Sequence, residues 1–305
     1  MPRAPWQAPL VLGIGLLSVS GAAVLVRLAP DVPATAAAFW RMLLSALVMG
    51  VVVVVRREGA AWRALHAPPR RLVLLALGGA LLAAHFALWF ASLHRTSVAA
   101  SVVLVTTAPL QVAIADWLVT GTRVSRRGLA GIGLGFAGAA ALGITDSRHG
   151  SPHAVAGDLL ALGGAAAIAL YYFVARSFRR YAALAPFTAA VYGAAALCLG
   201  VLALATSVPL HGFAPRSYAA LVGLALVPQA IGHTALNWAL AVLPAASVAS
   251  VPLGEPLGAM TLAAIFLGER PTLWALLAGA VALVGVALVV TDTPRRTDRK
   301  ETVES

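Results

Sequence analysis

The sequence predicts an all-α polytopic membrane protein whose ten transmembrane helices form two inverted five-helix repeats. Three observations carry that prediction. Ten long apolar stretches follow one another along the 305 residues. Hydrophobic residues make up 60% of the chain and charged residues 11%, where soluble domains are about half apolar and a quarter charged. The second five stretches also repeat the residue pattern of the first five.

A bilayer core roughly 30 Å thick needs about 20 helical residues to cross it. Spans are expected at 9–28, 34–55, 72–93, 98–119, 128–144, 154–175, 186–206, 218–239, 245–267 and 271–290. The fifth is short, and only Leu240 to Pro244 part the eighth from the ninth. These segments are apolar all round and lack the alternation of transmembrane strands. The first stretch follows Arg3 and carries Ser20, Gly21 and Ala22, as a cleaved signal would. Its run to Leu28 is long for a signal, and the repeat needs it as partner of the sixth span, so it is expected to be retained. Cys198 is the sole cysteine, which leaves no intrachain disulfide. Residues 291–305, rich in Arg, Asp and Glu, read as a disordered cytoplasmic tail.

The net charge of +11 is a topology signal rather than a nucleic-acid footprint. With the N-terminus on the cytoplasmic side, 16 Arg and Lys fall on that side, Arg179 among them, and 5 on the other. That is the positive-inside pattern with both termini cytoplasmic. A nucleic-acid surface would gather its basic residues on one face, whereas these are dispersed among short loops.

The halves align most clearly at two places. His85, Ala87 and Leu88 match His233, Ala235 and Leu236 at an offset of 148. Pro109 matches Pro256 at 147, and that offset continues through Gly121 and Gly268, Arg123 and Arg270, and Gly138 and Gly285. The first repeat is expected over 1–147 and the second over 148–290. An odd number of spans per unit sets the second upside down relative to the first, a common construction in carriers. Two similar halves of opposite orientation can exchange conformations at similar energy, which alternating access requires.

The second half carries Glu255-Pro256, then Leu267-Gly268-Glu269-Arg270-Pro271, then Gly279 and Gly285; the second span carries Phe39-Trp40-Arg41. With these motifs the chain resembles the EamA-type branch of the drug/metabolite transporter superfamily over about 9–290. The first half departs from the pattern, with Gly121-Thr122-Arg123 where Gly-Glu-Arg is expected. The resemblance implies a ten-helix carrier of the inner cell membrane, often an exporter of amino acids or other small metabolites, with no cofactor.

Glu255 is the most informative residue. It stands near the middle of the ninth span within Pro252-Leu253-Gly254-Glu255-Pro256. A carboxylate at that depth costs at least ~2.5 kcal/mol. Pro252, Gly254 and Pro256 break the helical ladder, and irregular backbone there needs surrounding protein or a wet cavity. Glu255 is therefore expected to face a central cavity, binding a substrate amine or the coupling proton, or else to pair with Arg41. Arg41 lies deep in the second span, where it can reach Glu255, hold a substrate carboxylate bidentately, or snorkel outward.

His85 and His233 read either as interhelical hydrogen-bonding groups or as a proton relay; too few ligands accompany them for a metal site. Trp89, Asn237 and Trp238 are expected to line the cavity and select the substrate. Tyr171, Tyr172, Tyr192 and Gln229 fit helix packing better. Asp116 sits near the end of the fourth span, where interface solvation accounts for it. Gly133-Leu134-Gly135-Phe136-Ala137-Gly138 satisfies the dinucleotide pattern but lies inside an apolar span, where its small residues serve helix packing.

Taken together, the residues point to a non-enzymatic secondary carrier of a small organic solute, coupled to protons. A membrane-embedded enzyme and a non-transporting scaffold are the alternatives. The first would need a catalytic constellation, and no metalloprotease, Ser–His or phosphate-loop motif is found. The second would contain no polar cavity.

Overall fold

The computed structural model describes residues 7–66, 69–120, 125–149, 153–243 and 245–290, and among these it is helical without strands. Gly121-Thr122-Arg123, Pro244 and the 291–305 tail lie outside the described residues, as does the side chain of Asp116. The first span is α1 (Ala8–Ser20) and α2 (Ala22–Arg27), offset at Gly21; α3 (Ala34–Val55) is the second. A short helix, α4 (Gly59–His66), precedes α5 (Pro69–Leu93). The fourth span divides into α6 (Val98–Val105) and α7 (Ala108–Thr120), followed by α8 (Arg126–His149). The second half opens with α9 (Ala154–Arg179) and α10 (Leu184–Ala205).

Its eighth span combines α11 (Pro215–Leu224), a π-helical segment Ala225–His233 and α12 (Thr234–Ala239). The ninth combines α13 (Ala245–Ala249), a 3₁₀ turn Val251–Gly254 and α14 (Glu255–Leu267), and α15 (Leu273–Val290) ends the described chain. Among the described residues, eight helical stretches are long and apolar enough to cross a membrane. The other two expected spans coincide with α8 and with α15, whose apolar run Leu273–Leu288 is shorter.

Helix packing follows the internal repeat. The second span packs on its mate, α3 on α10, and the fifth on its own, α8 on α15. The third packs on the sixth, α5 on α9, and exchanging the halves maps that pair onto the observed contact of α1 with the π segment and α12. At the α8–α15 crossing, a Cβ on Gly138 would strike the backbone of Ala282, and one on Gly285 the backbone of Gly135. The dinucleotide-like glycines thus let two backbones touch. Apolar burial does little to join helices in lipid, so such close approach and interhelical hydrogen bonds supply the cohesion. Leu10, Val54, Leu204 and Ile265 project outward on a surface suited to hydrocarbon.

One charge departs from expectation. Arg179 was expected in a loop, yet α9 continues one turn beyond residue 175 and buries it fully. Its Nε donates to the Asn237 carbonyl at 2.9 Å and its Nη1 to the Ala182 carbonyl at 2.5 Å. A guanidinium that satisfies carbonyls at helix ends is stable inside the bundle where a free one is not.

Candidate functional site

Two broken helices meet at the centre. In the ninth span Pro252 starts the 3₁₀ turn and Pro256 occupies the first turn of α14, where a missing N–H removes no helical bond. Gly254 lets the turn approach α1, since a Cβ there would lie 2.8 Å from the Leu16 side chain. The fourth span is broken at the equivalent place, at Thr106 and Thr107 ahead of Pro109. Their hydroxyls donate to the carbonyls of Val103 and Leu104 at 2.9 and 2.6 Å.

Between the breaks lies a cavity of about 30 Å³, room for about two waters. Val105, Thr106 and Ala108 line it from one break, and Ala249, Pro252 and Glu255 from the other. His85, Trp89, Tyr172 and His233 form much of the remaining wall. Glu255 is 6% exposed and begins α14. Among the described residues its carboxylate makes no hydrogen bond, and the ion pair formed is a different one, Arg27 with Glu269. It is an acceptor without a protein donor, facing the cavity.

The paired histidines meet there. His85 and His233 have ring centroids 6.3 Å apart, and His85 stacks on Trp89 at 5.8 Å. The Nδ1 of His85 is 2.9 Å from the Gly164 carbonyl, tying the third span to the sixth. The indole N–H of Trp89 is buried without an acceptor. Among the described residues no group of three or more His, Cys, Asp or Glu is arranged to hold a metal ion.

Arg41 is wholly buried and does not line the cavity. Its Nε donates to Gln229 Oε1 at 2.8 Å, its guanidinium carbon lies 4.1 Å from the Phe86 ring centroid, and both terminal nitrogens lack an acceptor among the described residues. Arg41 and Glu255 form no ion pair within 4.0 Å. Ser45, unremarked in the sequence, donates to the carbonyls of Arg41 at 2.7 Å and Ala225 at 2.9 Å. The second of these is a carbonyl at the start of the π segment.

Asn237 and Trp238 stand outside the cavity wall. Asn237 is a hydrogen-bonding hub: its Oδ1 accepts from Tyr171 at 2.7 Å and its Nδ2 donates to the Tyr192 hydroxyl at 3.2 Å. Tyr192 continues to Thr234 at 3.1 Å. Trp238 is a partly buried member of the core packing. The Gly-Glu-Arg motif also acquires a role. Gly268 closes α14 in the left-handed region at φ 69°. Glu269 then accepts from the Val98 N–H at 3.1 Å and pairs with Arg27 at 3.5 Å. Both side chains of that pair are about a third exposed, so it contributes under about 1 kcal/mol.

Comparison with known proteins agrees with this architecture. A solved crystal structure described only as that of a protein superposes with a TM-score of 0.70 at 19% identity, covering 96% of this chain and 100% of that one. A probable terminal-alkyne amino-acid exporter of Streptantibioticus cattleyicolor is 30% identical over 228 residues, covering 72% of this chain and 73% of the relative. The signature of the EamA-like transporter family matches twice, over residues 6–144 and 155–291. With both halves matched, the chain belongs to the EamA-like transporter family.

Proposed function

We propose that this membrane transporter of small solutes is a secondary carrier that exports its solute by alternating access, with Glu255 taking up and releasing a coupling proton. The observation that carries the reading is the Glu255 carboxylate, which is buried at a helix break, faces the cavity and has no hydrogen bond or ion pair among the described residues. A charge in such a place is expensive. A carboxylate in a cavity that alternately closes and floods changes protonation with its hydration.

The carrier crosses the cell membrane ten times with both termini cytoplasmic, and its repeats, 1–147 and 148–290, lie in opposite orientations. The exchange symmetry of the helix contacts supports that arrangement. Rocking one half against the other opens the cavity to each side in turn. At about 30 Å³ the cavity holds about two waters, so an amino acid needs it to widen. The similarity to a relative named as a probable terminal-alkyne amino-acid exporter supports an amino-acid-like solute. Trp89, Tyr172 and the two histidines shape the cavity, and Arg41 supplies the counter-charge. Chemistry on the solute is not part of this reading.

The test is gradient-driven solute movement in proteoliposomes, run with a panel of radiolabelled amino acids and amines. Wild type is expected to accumulate a solute against its gradient when a pH difference is imposed. Glu255→Gln is expected to lose accumulation and keep solute exchange. Accumulation by the Gln variant would return Glu255 to a structural role.

A further inference from the structure

We infer that Arg41 and Gln229 form an anion-binding subsite that takes the carboxylate of the transported solute, with Phe86 between Arg41 and the histidines of the Glu255 cavity. This rests on the carrier reading above and adds to it the chemical class of the solute and the place where its acidic end is held.

The Arg41 guanidinium has five N–H donors and is fully buried. Its Nε is satisfied by Gln229 Oε1 at 2.8 Å, while both terminal nitrogens have no acceptor among the described residues. Gln229 is also fully buried and offers its amide nitrogen with no acceptor in hydrogen-bond geometry, the Tyr192 hydroxyl being its polar neighbour. Unmet donors on a buried cation are costly. Two terminal guanidinium nitrogens side by side match the two oxygens of a carboxylate. The unsatisfied edge of Arg41 is therefore complementary to a group that the described residues do not bring to it.

The surroundings fix the edge in place and give it a route. Phe86 stacks beneath the guanidinium at 4.1 Å and touches His85 and His233 at 4.5 and 5.3 Å. Both histidines line the cavity. Phe86 thus lies between Arg41 and the two cavity-lining histidines. The π segment carries Gln229 and His233 and contains Pro228. π-helical backbone is rare and is found often at functional sites. A solute with a cationic and an anionic end would place its amine at Glu255 and its carboxylate at Arg41 once that segment shifts.

The experiment measures thermal stabilisation of purified full-length protein by the twenty common L-amino acids and by their C-terminal amides, which keep the amine and lose the negative charge. At least one acid is expected to raise the melting temperature and to bind about tenfold or more tightly than its amide. Arg41→Gln is expected to remove that preference. Gln229→Glu supplies an internal carboxylate beside Arg41, so it is expected to fold, to melt higher than wild type and to lose the preference as well. Amides that stabilise as well as acids, a preference that survives both variants, or no stabilisation by any acid would overturn the subsite. Gradient-driven accumulation lost in Glu255→Gln would in each case leave the carrier reading standing, which separates the two failures.

Discussion

His85 and His233 touch ring to ring, 6.3 Å between centroids, although 148 positions separate them in the chain. They occupy matching positions of the two repeats, so the repeats meet at this point. Ala108 and Glu255 are mates at the other offset, and both line the same cavity. The cavity thus lies where matching positions of the two repeats come together, and among its described lining residues Glu255 is the one carboxylate.

Asn237 sits behind that point and holds it together. Replacing it with Ala strands the Tyr171 hydroxyl, which donates to Asn237 at 2.7 Å, and removes a donor from Tyr192. Leaving buried polar groups unmet costs about 1–3 kcal/mol, toward the lower end between membrane helices. Asn237→Ala is expected to lower the melting temperature in detergent, with solute selectivity unchanged in any surviving transport. An unchanged melting temperature would show that the hub is dispensable.

The α8–α15 crossing makes a graded prediction. Gly285→Val must push apart two backbones, because a Cβ there meets Gly135 and the Gly131 carbonyl. Overpacking of this kind costs typically about 1–3 kcal/mol. Gly133→Ala, in the same glycine-rich run, meets nothing within 4 Å and is expected to be neutral. Thermal unfolding of both variants checks the contrast, and equal effects would contradict it.

Asp31 links the turn before α3 to the start of α11. Its carboxylate accepts from the Ser217 hydroxyl at 2.5 Å and from the Ala214 N–H at 2.7 Å. The Ser217 bond, then the Ala214 bond, hold its pKa below the ordinary 3.8. A lowered carboxylate pKa contributes stability that is present above the ordinary value and is lost as pH falls through the lowered one. The melting temperatures of wild type and Asp31→Asn should differ by a constant amount above about pH 4 and converge in stronger acid. A gap that widens on acidification would refute this.

Most of the fold was legible in the chain because a lipid-facing helix must be long and continuously apolar. The break in the ninth span was equally legible, since Pro252, Gly254 and Pro256 crowd it. The matching break at Thr106–Thr107 was signalled by Pro109, and the π segment by Pro228, yet a lone proline inside an apolar run also fits an ordinary kink. Sidedness was harder to read. A segment that is apolar all round has no polar face to orient it, so nothing distinguished cavity-lining Trp89 from Asn237 at the hub and Trp238 in the packing. Arg179 misled for a related reason: an arginine at the end of an apolar run reads as a loop charge until helix length shows it turned inward.

The proposed carrier exchanges its solute for a proton at Glu255, the two crossing the membrane in opposite directions. That exchange is tested most directly by proton movement out of proteoliposomes holding a trapped pH-sensitive dye, measured when solute is added outside without an imposed pH gradient. The account predicts a solute-triggered pH change in wild type that is absent in Glu255→Gln. A pH change of the same size in the Gln variant would contradict it and direct attention to His85 and His233.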